Sequence, residues 1–203
     1  MSVEHVEVLV EEPSMEAALL SILPKVLGGI TFQIYTHRCK DELLLRLQAR
    51  LLGYSKFMPS SWRIVVIVDR DGDDCATLKS KLERIADQSK LTTKTRTGGS
   101  RWQVVNRIVI EELEAWYFGD WAAVRAAYPR VPETIPTQAK YRHPDAIQGT
   151  WEAFEHVMQD AGYFKGGLRK IEVARAVGPH MDPRRNQSRS FQVLCSTLHE
   201  LAR

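Results

Sequence analysis

Apolar positions in the first ninety residues alternate between two periods. Val6 to Val10 is a short apolar run ending in Glu11, Glu12 and Pro13, the profile of a buried strand. Ser14 then offers a cap to a helix through Val26, with Ala18, Leu19, Ile22, Leu23 and Val26 at helical spacing and Gly28-Gly29 as its stop. TFQIYT, Thr31 to Thr36, predicts a second strand. Asp41 opens a second helix with Leu43, Leu47 and Leu51 on one face and Gly53 as its end. WRIVVIV, Trp62 to Val68, is the strongest strand pattern of the chain, and its apolar residues on both faces predict a central position. A third helix is expected from about Asp74, with Leu78, Leu82, Ile85 and Ala86 facing inward.

This β-α-β-α-β-α order predicts an α/β fold, a parallel sheet flanked by helices on both faces. Further on, VVNRIVIEELEAW reads as a strand running into a helix that continues through AWYFGDWAAVRAAY. Pro129, Pro132 and Pro136 mark a break. We therefore expect a catalytic domain over 1–128 and a helical C-terminal extension over 129–203 packed on it. Within that extension Trp151 to Met158 and Phe191 to Leu201 have helical spacing, with Ser190 as the cap of the last helix.

Composition excludes several classes. The chain has 203 residues, 44% hydrophobic and 26% charged, an ordinary globular mixture. No apolar run approaches the roughly 20 residues that cross a bilayer. Glutamates stand near the N-terminus where a secretory signal would carry basic residues, so a cytoplasmic protein is expected. Cys39, Cys75 and Cys195 form no C-x-x-C pair, which argues against a zinc knuckle or a disulfide framework. No P-loop, no G-x-S-x-G and no metal-type histidine spacing occurs. The formal net charge of +3 tolerates a polyanionic partner. Lys94, Arg96, Arg101 and Arg107 fall in one basic stretch and are the candidate nucleic-acid-binding residues.

The chemistry lies in acids at strand ends. Glu11-Glu12 follows the first strand, with Glu16 one turn later; Asp69-Arg70-Asp71-Gly72-Asp73-Asp74 follows the third. In a parallel sheet both groups belong to the carboxyl edge, where functional residues collect. Carboxylates gathered there raise one another's pKa unless a cation offsets them, and Mg2+ or Mn2+ prefers such oxygen ligands. Asp69 and Asp71, at i and i+2, are expected to point the same way, with Gly72 allowing a bend. A calcium loop fails on detail, because Asp74 occupies its glycine position and Ser80 its final glutamate. Asp73 and Asp74 have a plainer role as the start of a helix. On the expected helix Glu111 and Glu114 share a face, and Glu114 is the candidate for a further metal ligand; an acid-rich helix start is the alternative. Lys170 is a candidate for contacting a transition-state phosphate, against the alternative of a surface lysine.

VLVEEPSMEAAL followed by IVVIVDRDGDDC resembles the Toprim pattern, a glutamate after the first strand and Asp-x-Asp after the third. Together with RIVIEELEAWYFGD and MDPRRNQSRSF, these segments resemble an uncharacterised Toprim-like family related to overcoming-lysogenization-defect nucleases. Its members are often encoded beside ATPases of the ABC or SMC type in loci suspected of anti-phage defence. The resemblance implies that Glu11 is the Toprim glutamate, that Asp69 and Asp71 are its metal pair, and that Glu16 stands for a second acid of nuclease-type members. It departs at Glu12, where many Toprim motifs have glycine. The expected activity is a Mg2+- or Mn2+-dependent nuclease or nicking enzyme acting on nucleic acid, DNA first, with Glu11 or Glu16 as general base and an ATPase as partner. Two other readings stay open: a phospho-acceptor or phosphatase domain, and a non-catalytic partner subunit of an ATPase.

Overall fold

The computed structural model describes residues 2–99 and 101–202. The alternating half folds as expected. Strand β1 (His5–Val10) is followed by helix α1 (Pro13–Leu27), β2 (Thr31–Thr36), α2 (Lys40–Phe57), β3 (Trp62–Asp69), α3 (Cys75–Gln88) and β4 (Val104–Val109). The four strands form one parallel sheet in the order β2-β1-β3-β4, which puts the two most apolar strands in the middle.

Period two along the strands builds two cores. Val6, Val8, Val10, Val65, Ile67, Val105 and Val109 face one side, where α1 covers them. Leu9, Ile64, Val66, Val68 and Val104 face the other, under α2 and α3. Among the described residues five further α-helices follow: α4 (Glu114–Gly119), α5 (Trp121–Ala127), α6 (Thr150–Asp160), α7 (Lys170–Val177) and α8 (Arg189–Leu201). Helix α7 packs on α1, and α8 packs on α1 and β4. Residues 129–202 thus enlarge the first core, with Phe154, Val157, Val173, Phe191 and Leu198 buried among the strand valines.

Four local expectations are corrected. Helix α1 begins at Pro13 with Glu12 at its N-cap, because proline suits the first helical position; the Ser14 hydroxyl donates to the Glu12 carboxylate instead of capping. Gly53 does not end α2. A helical glycine costs about 1 kcal/mol relative to alanine, and the next turn buries Tyr54, whose hydroxyl donates to Glu7 Oε2 at 2.8 Å. The helix expected through AWYFGDWAAVRAAY breaks at Asp120, whose carboxylate accepts from the Ala123 amide and starts α5. The cap of α8 is Ser188, which accepts from the Phe191 amide at 3.3 Å, and Ser190 lies inside the helix. Helix α7 has no counterpart in the periodicity reading.

Candidate functional site

Strand register decides which acids meet. Val10 pairs with Ile67, so Glu11 and Asp69 leave adjacent strands at the same edge. Glu11 is 7% exposed and Asp69 3%. Glu114, in the first turn of α4 and 1% exposed, adds its charge to that felt by Asp69 from the helix that follows β4. One oxygen of each, Glu11 Oε2, Asp69 Oδ1 and Glu114 Oε2, has no hydrogen-bond partner among the described residues, and the buried Tyr117 hydroxyl, three residues after Glu114, also has none.

Burial sets the acidity here. Desolvation, followed by the Asp71 charge, pushes the Glu11 carboxyl up to about 7, against the Asp69 backbone and the Lys40 ammonium, which pull it down. Desolvation and then Glu11, Glu12 and Glu114 hold Asp69 well above the usual carboxylate range. Burial, with the Glu112 and Glu12 charges adding to it, outweighs Lys170 to place Glu114 at about 7. An ionised carboxylate buried without a partner costs several kcal/mol, so each of these groups either keeps a proton or takes a cation.

Asp71 takes a different direction from Asp69, contrary to the i, i+2 expectation. Its backbone is left-handed, with φ 49°, which breaks the strand alternation. The Asp71 amide donates to the Glu111 carbonyl at 3.1 Å, and the carboxylate pairs with Lys40 Nζ at 2.6 Å, its side chain 46% exposed. It remains close enough to raise the pKa of Glu11. Among the described residues no three His, Cys, Asp or Glu side chains stand close enough together to hold one ion. The orphaned oxygens of Glu11, Asp69 and Glu114 have the donor chemistry of a hard divalent cation; Asp71, as it stands, is committed to Lys40.

Lys170 comes to the cluster from the first turn of α7, its Nζ 4.0 Å from Glu12 Oε2. Burial works against its charge, but Glu114, Glu12, Glu112 and Asp69 outweigh it and raise its pKa. Glu16 lies half-buried on α1 and, among the described residues, makes no hydrogen bond or ion pair with the cluster through its side chain. Glu111 and Glu112 precede α4 and share no helical face with Glu114. Glu111, at φ 54°, pairs with Arg70, and Glu112 accepts from Thr150 Oγ1 and the Trp151 amide, both at 3.0 Å, holding the start of α6. Asp74 caps α3 through Thr77, the plainer role foreseen for it.

Two clefts meet at Glu12. One, about 660 Å³, is walled by Glu11, Arg38, Lys40, Asp71, Asp73 and Lys81. The other, about 890 Å³, runs along Pro13, Leu168, Arg169, Lys170 and Arg175. Lys40 and Arg38 carried no signal in the sequence beyond their place before an amphipathic helix. The basic stretch lies elsewhere. Lys94 and Arg101 sit with Trp102 ahead of β4, toward the amino ends of the strands, and Lys94 pairs with Glu200. Arg96 pairs with Asp87, and Arg107 in β4 donates through Nε to Thr197 Oγ1 at 3.1 Å. The fold does not bring these four to the acidic edge. No helix among the described residues is long and apolar enough to cross a membrane.

Comparison with curated proteins finds no match. Comparison with solved structures finds none either. A family model does match, over residues 10–199, and those bounds take in every acid of the edge as well as Lys40 and Lys170. The chain belongs to the family described as a domain of unknown function, DUF4276.

Proposed function

We propose that this chain is a divalent-metal-dependent phosphodiesterase acting on nucleic acid, its ion site starting from Glu11 and Asp69 at the carboxyl edge of the sheet, with Glu114 and Asp71 as the ligands that close in when the ion binds. The observation that carries this reading is the set of three buried carboxylate oxygens without partners. Native interiors leave few polar atoms unsatisfied, and three acids together mark a place where binding energy is waiting for a ligand. The Toprim resemblance of the two strand-end motifs supports the same assignment.

A bound Mg2+ or Mn2+ would polarise a phosphate oxygen and acidify a water. The chain's own groups do the rest. Glu11 lines the 660 Å³ cleft, and burial raises its carboxyl to about 7, so its ionised form is the stronger base placed to receive the proton of an attacking water; Glu16 is not among the lining residues. Lys170 and Arg169 offer positive charge to the flanking phosphate on the other side of Glu12. Arg38 and Lys81, exposed and without ion pairs among the described residues, do so in the first cleft. These cations replace Lys94, Arg96, Arg101 and Arg107 in the nucleic-acid role.

One observation favours a second reading. The commitment of Asp71 to Lys40 is what a degenerate site in a non-catalytic ATPase partner would also have. A phospho-acceptor needs access for its donor, and Asp69 is 3% exposed, so we do not adopt that role. Incubation of the chain with supercoiled plasmid, single-stranded DNA and RNA in Mn2+, beside Asp69→Asn and a chelator control, decides between cleavage and partner. Cleavage by the wild type that falls at least about 100-fold in Asp69→Asn is expected. Cleavage that persists unchanged in Asp69→Asn, or no Mn2+ binding by the wild type, overturns the proposal.

A further inference from the structure

Lys40 stands at the first position of α2 and crosses the cleft to the loop after β3. Its Nζ lies 2.6 Å from Asp71 Oδ2 and 2.8 Å from Asp73 Oδ2, and donates to the Arg70 carbonyl at 3.0 Å. Three oxygens around one ammonium reproduce the inner surroundings of a small cation. Its side chain is 14% exposed, unlike an ordinary surface lysine, which wanders through solvent at little gain. The ammonium also lowers the proton affinity of Glu11, so its charge reaches the acid cluster as well as the loop. The loop it grips is strained. Asp71 is left-handed without being glycine, and it is tied to Glu111, which is left-handed too. Once the Lys40 pair is replaced, the half-exposed Asp71 side chain has other rotamers open to it while its backbone stays tied to Glu111.

We propose that Lys40 is a displaceable internal counterion: it keeps Asp71 on the loop side of the cleft until a divalent ion draws that carboxylate toward Glu11 and Asp69, and it is then released to bind a phosphate of the substrate. The inference rests on the metal-dependent reading and adds the way in which the site is gated. In the metal-free chain Lys40 offsets the charge of Asp71 and Asp73, so the ion has to compete with a built-in cation. With the ion in place, the Asp71 charge is answered by the metal and its pull on the ammonium weakens, and the lysine turns to the open volume, where Arg38 and Lys81 already stand.

Two measurements on the full chain test this. Titration calorimetry with Mn2+ compares the wild type with Lys40→Met, which keeps the stem and removes the charge, and with Lys40→Arg, which keeps the charge. Loss of a unit charge a few ångströms from the site strengthens Mn2+ binding in Lys40→Met by about tenfold, while Lys40→Arg stays within about threefold of the wild type. Pulsed acetylation of the wild type, read by peptide mass spectrometry, follows Lys40 directly: its labelling rises severalfold on saturation with Mn2+, and that of Lys81 in the same cleft does not. The labelling needs no variant, so it decides even if Lys40→Met fails to fold. Equal Mn2+ affinities for the wild type and Lys40→Met, or Lys40 labelling unmoved by Mn2+, overturns the counterion role and leaves the metal site standing. A wild type that binds no Mn2+ overturns both.

Discussion

The two ends of α4 carry buried carboxylates in opposite states. At its start Glu114 is 1% exposed and keeps an oxygen without a partner. Just past its end Asp120, also 1% exposed, is fully engaged. Arg185 clamps Asp120 with Nε 2.6 Å from Oδ1 and a terminal nitrogen 3.0 Å from Oδ2, and the Asp182 amide adds a bond at 2.8 Å. Around this clamp Asn186 donates to the Trp116 carbonyl, Ser188 caps α8, and Asp145 holds the Ser188 hydroxyl and the Ser190 amide. The tail element MDPRRNQSRSF is therefore a clasp that fastens α8 to α4. One acid supports structure because its charge is answered within the chain; the other stands in a cluster whose charges are not. The number of acids is a poor guide to function, and the state of their oxygens a better one.

The largest effect is expected at the clasp. Asp120→Ala, which strands the Arg185 clamp and two amides, lowers the unfolding free energy by about 3–5 kcal/mol in urea denaturation. A loss under about 1 kcal/mol would make the two ends of α4 equivalent.

Glu114→Gln acts in the other direction in metal-free protein. With the folded carboxyl near 7 and the unfolded one at 4.5, the native state holds its proton longer. Stability from this group is therefore lost as pH rises through that interval and stays low above it. At pH 8 the glutamine variant gains up to about 3 kcal/mol, and its stability changes less between pH 5 and 7 than that of the wild type. Urea titrations at pH 5, 6, 7 and 8 measure this, and Mn2+ at pH 8 restores more stability to the wild type than to the variant.

A smaller loss follows at Gly119, where an added Cβ would stand 2.2 Å from Asn186 Oδ1 and 2.8 Å from the Ser188 nitrogen. Gly119→Ala costs about 1–3 kcal/mol by forcing the clasp away from α4, visible as a lowered Tm with the Mn2+ affinity retained. The smallest effects belong to the basic stretch. Lys94→Ala and Arg96→Ala, each removing a rim ion pair, change stability by under about 1 kcal/mol. In fluorescence anisotropy with labelled single-stranded DNA they weaken binding less than Arg38→Ala or Lys81→Ala does.

The strands and the three helices between them were legible because their signal is local. Val6–Val10 and Trp62–Val68 show their burial on the page, and parallel pairing with central placement follows from apolar runs joined by amphipathic helices. Glu11 and Asp69 were legible for the same reason, since a strand of known direction tells which end its last residue occupies. Helix α7 was missed because Val173, Ala174 and Val177 make too short an apolar stripe to stand out, and it gains its burial from α1. The parting of Asp71 from Asp69 was missed because spacing carries no record of a left-handed residue.

The order of side chains was enough for the β-α-β-α-β-α alternation and for the edge on which Glu11 and Asp69 stand. Only the tertiary structure decided that Lys40 grips Asp71, that Glu114 and Lys170 arrive from distant helices, and that Lys94 and its neighbours face the other way. The physical reason is range. Backbone periodicity and strand polarity act over a few residues and are written in the order of side chains. Charge pairing and desolvation act between groups a hundred residues apart, and they exist only once packing has brought those groups together.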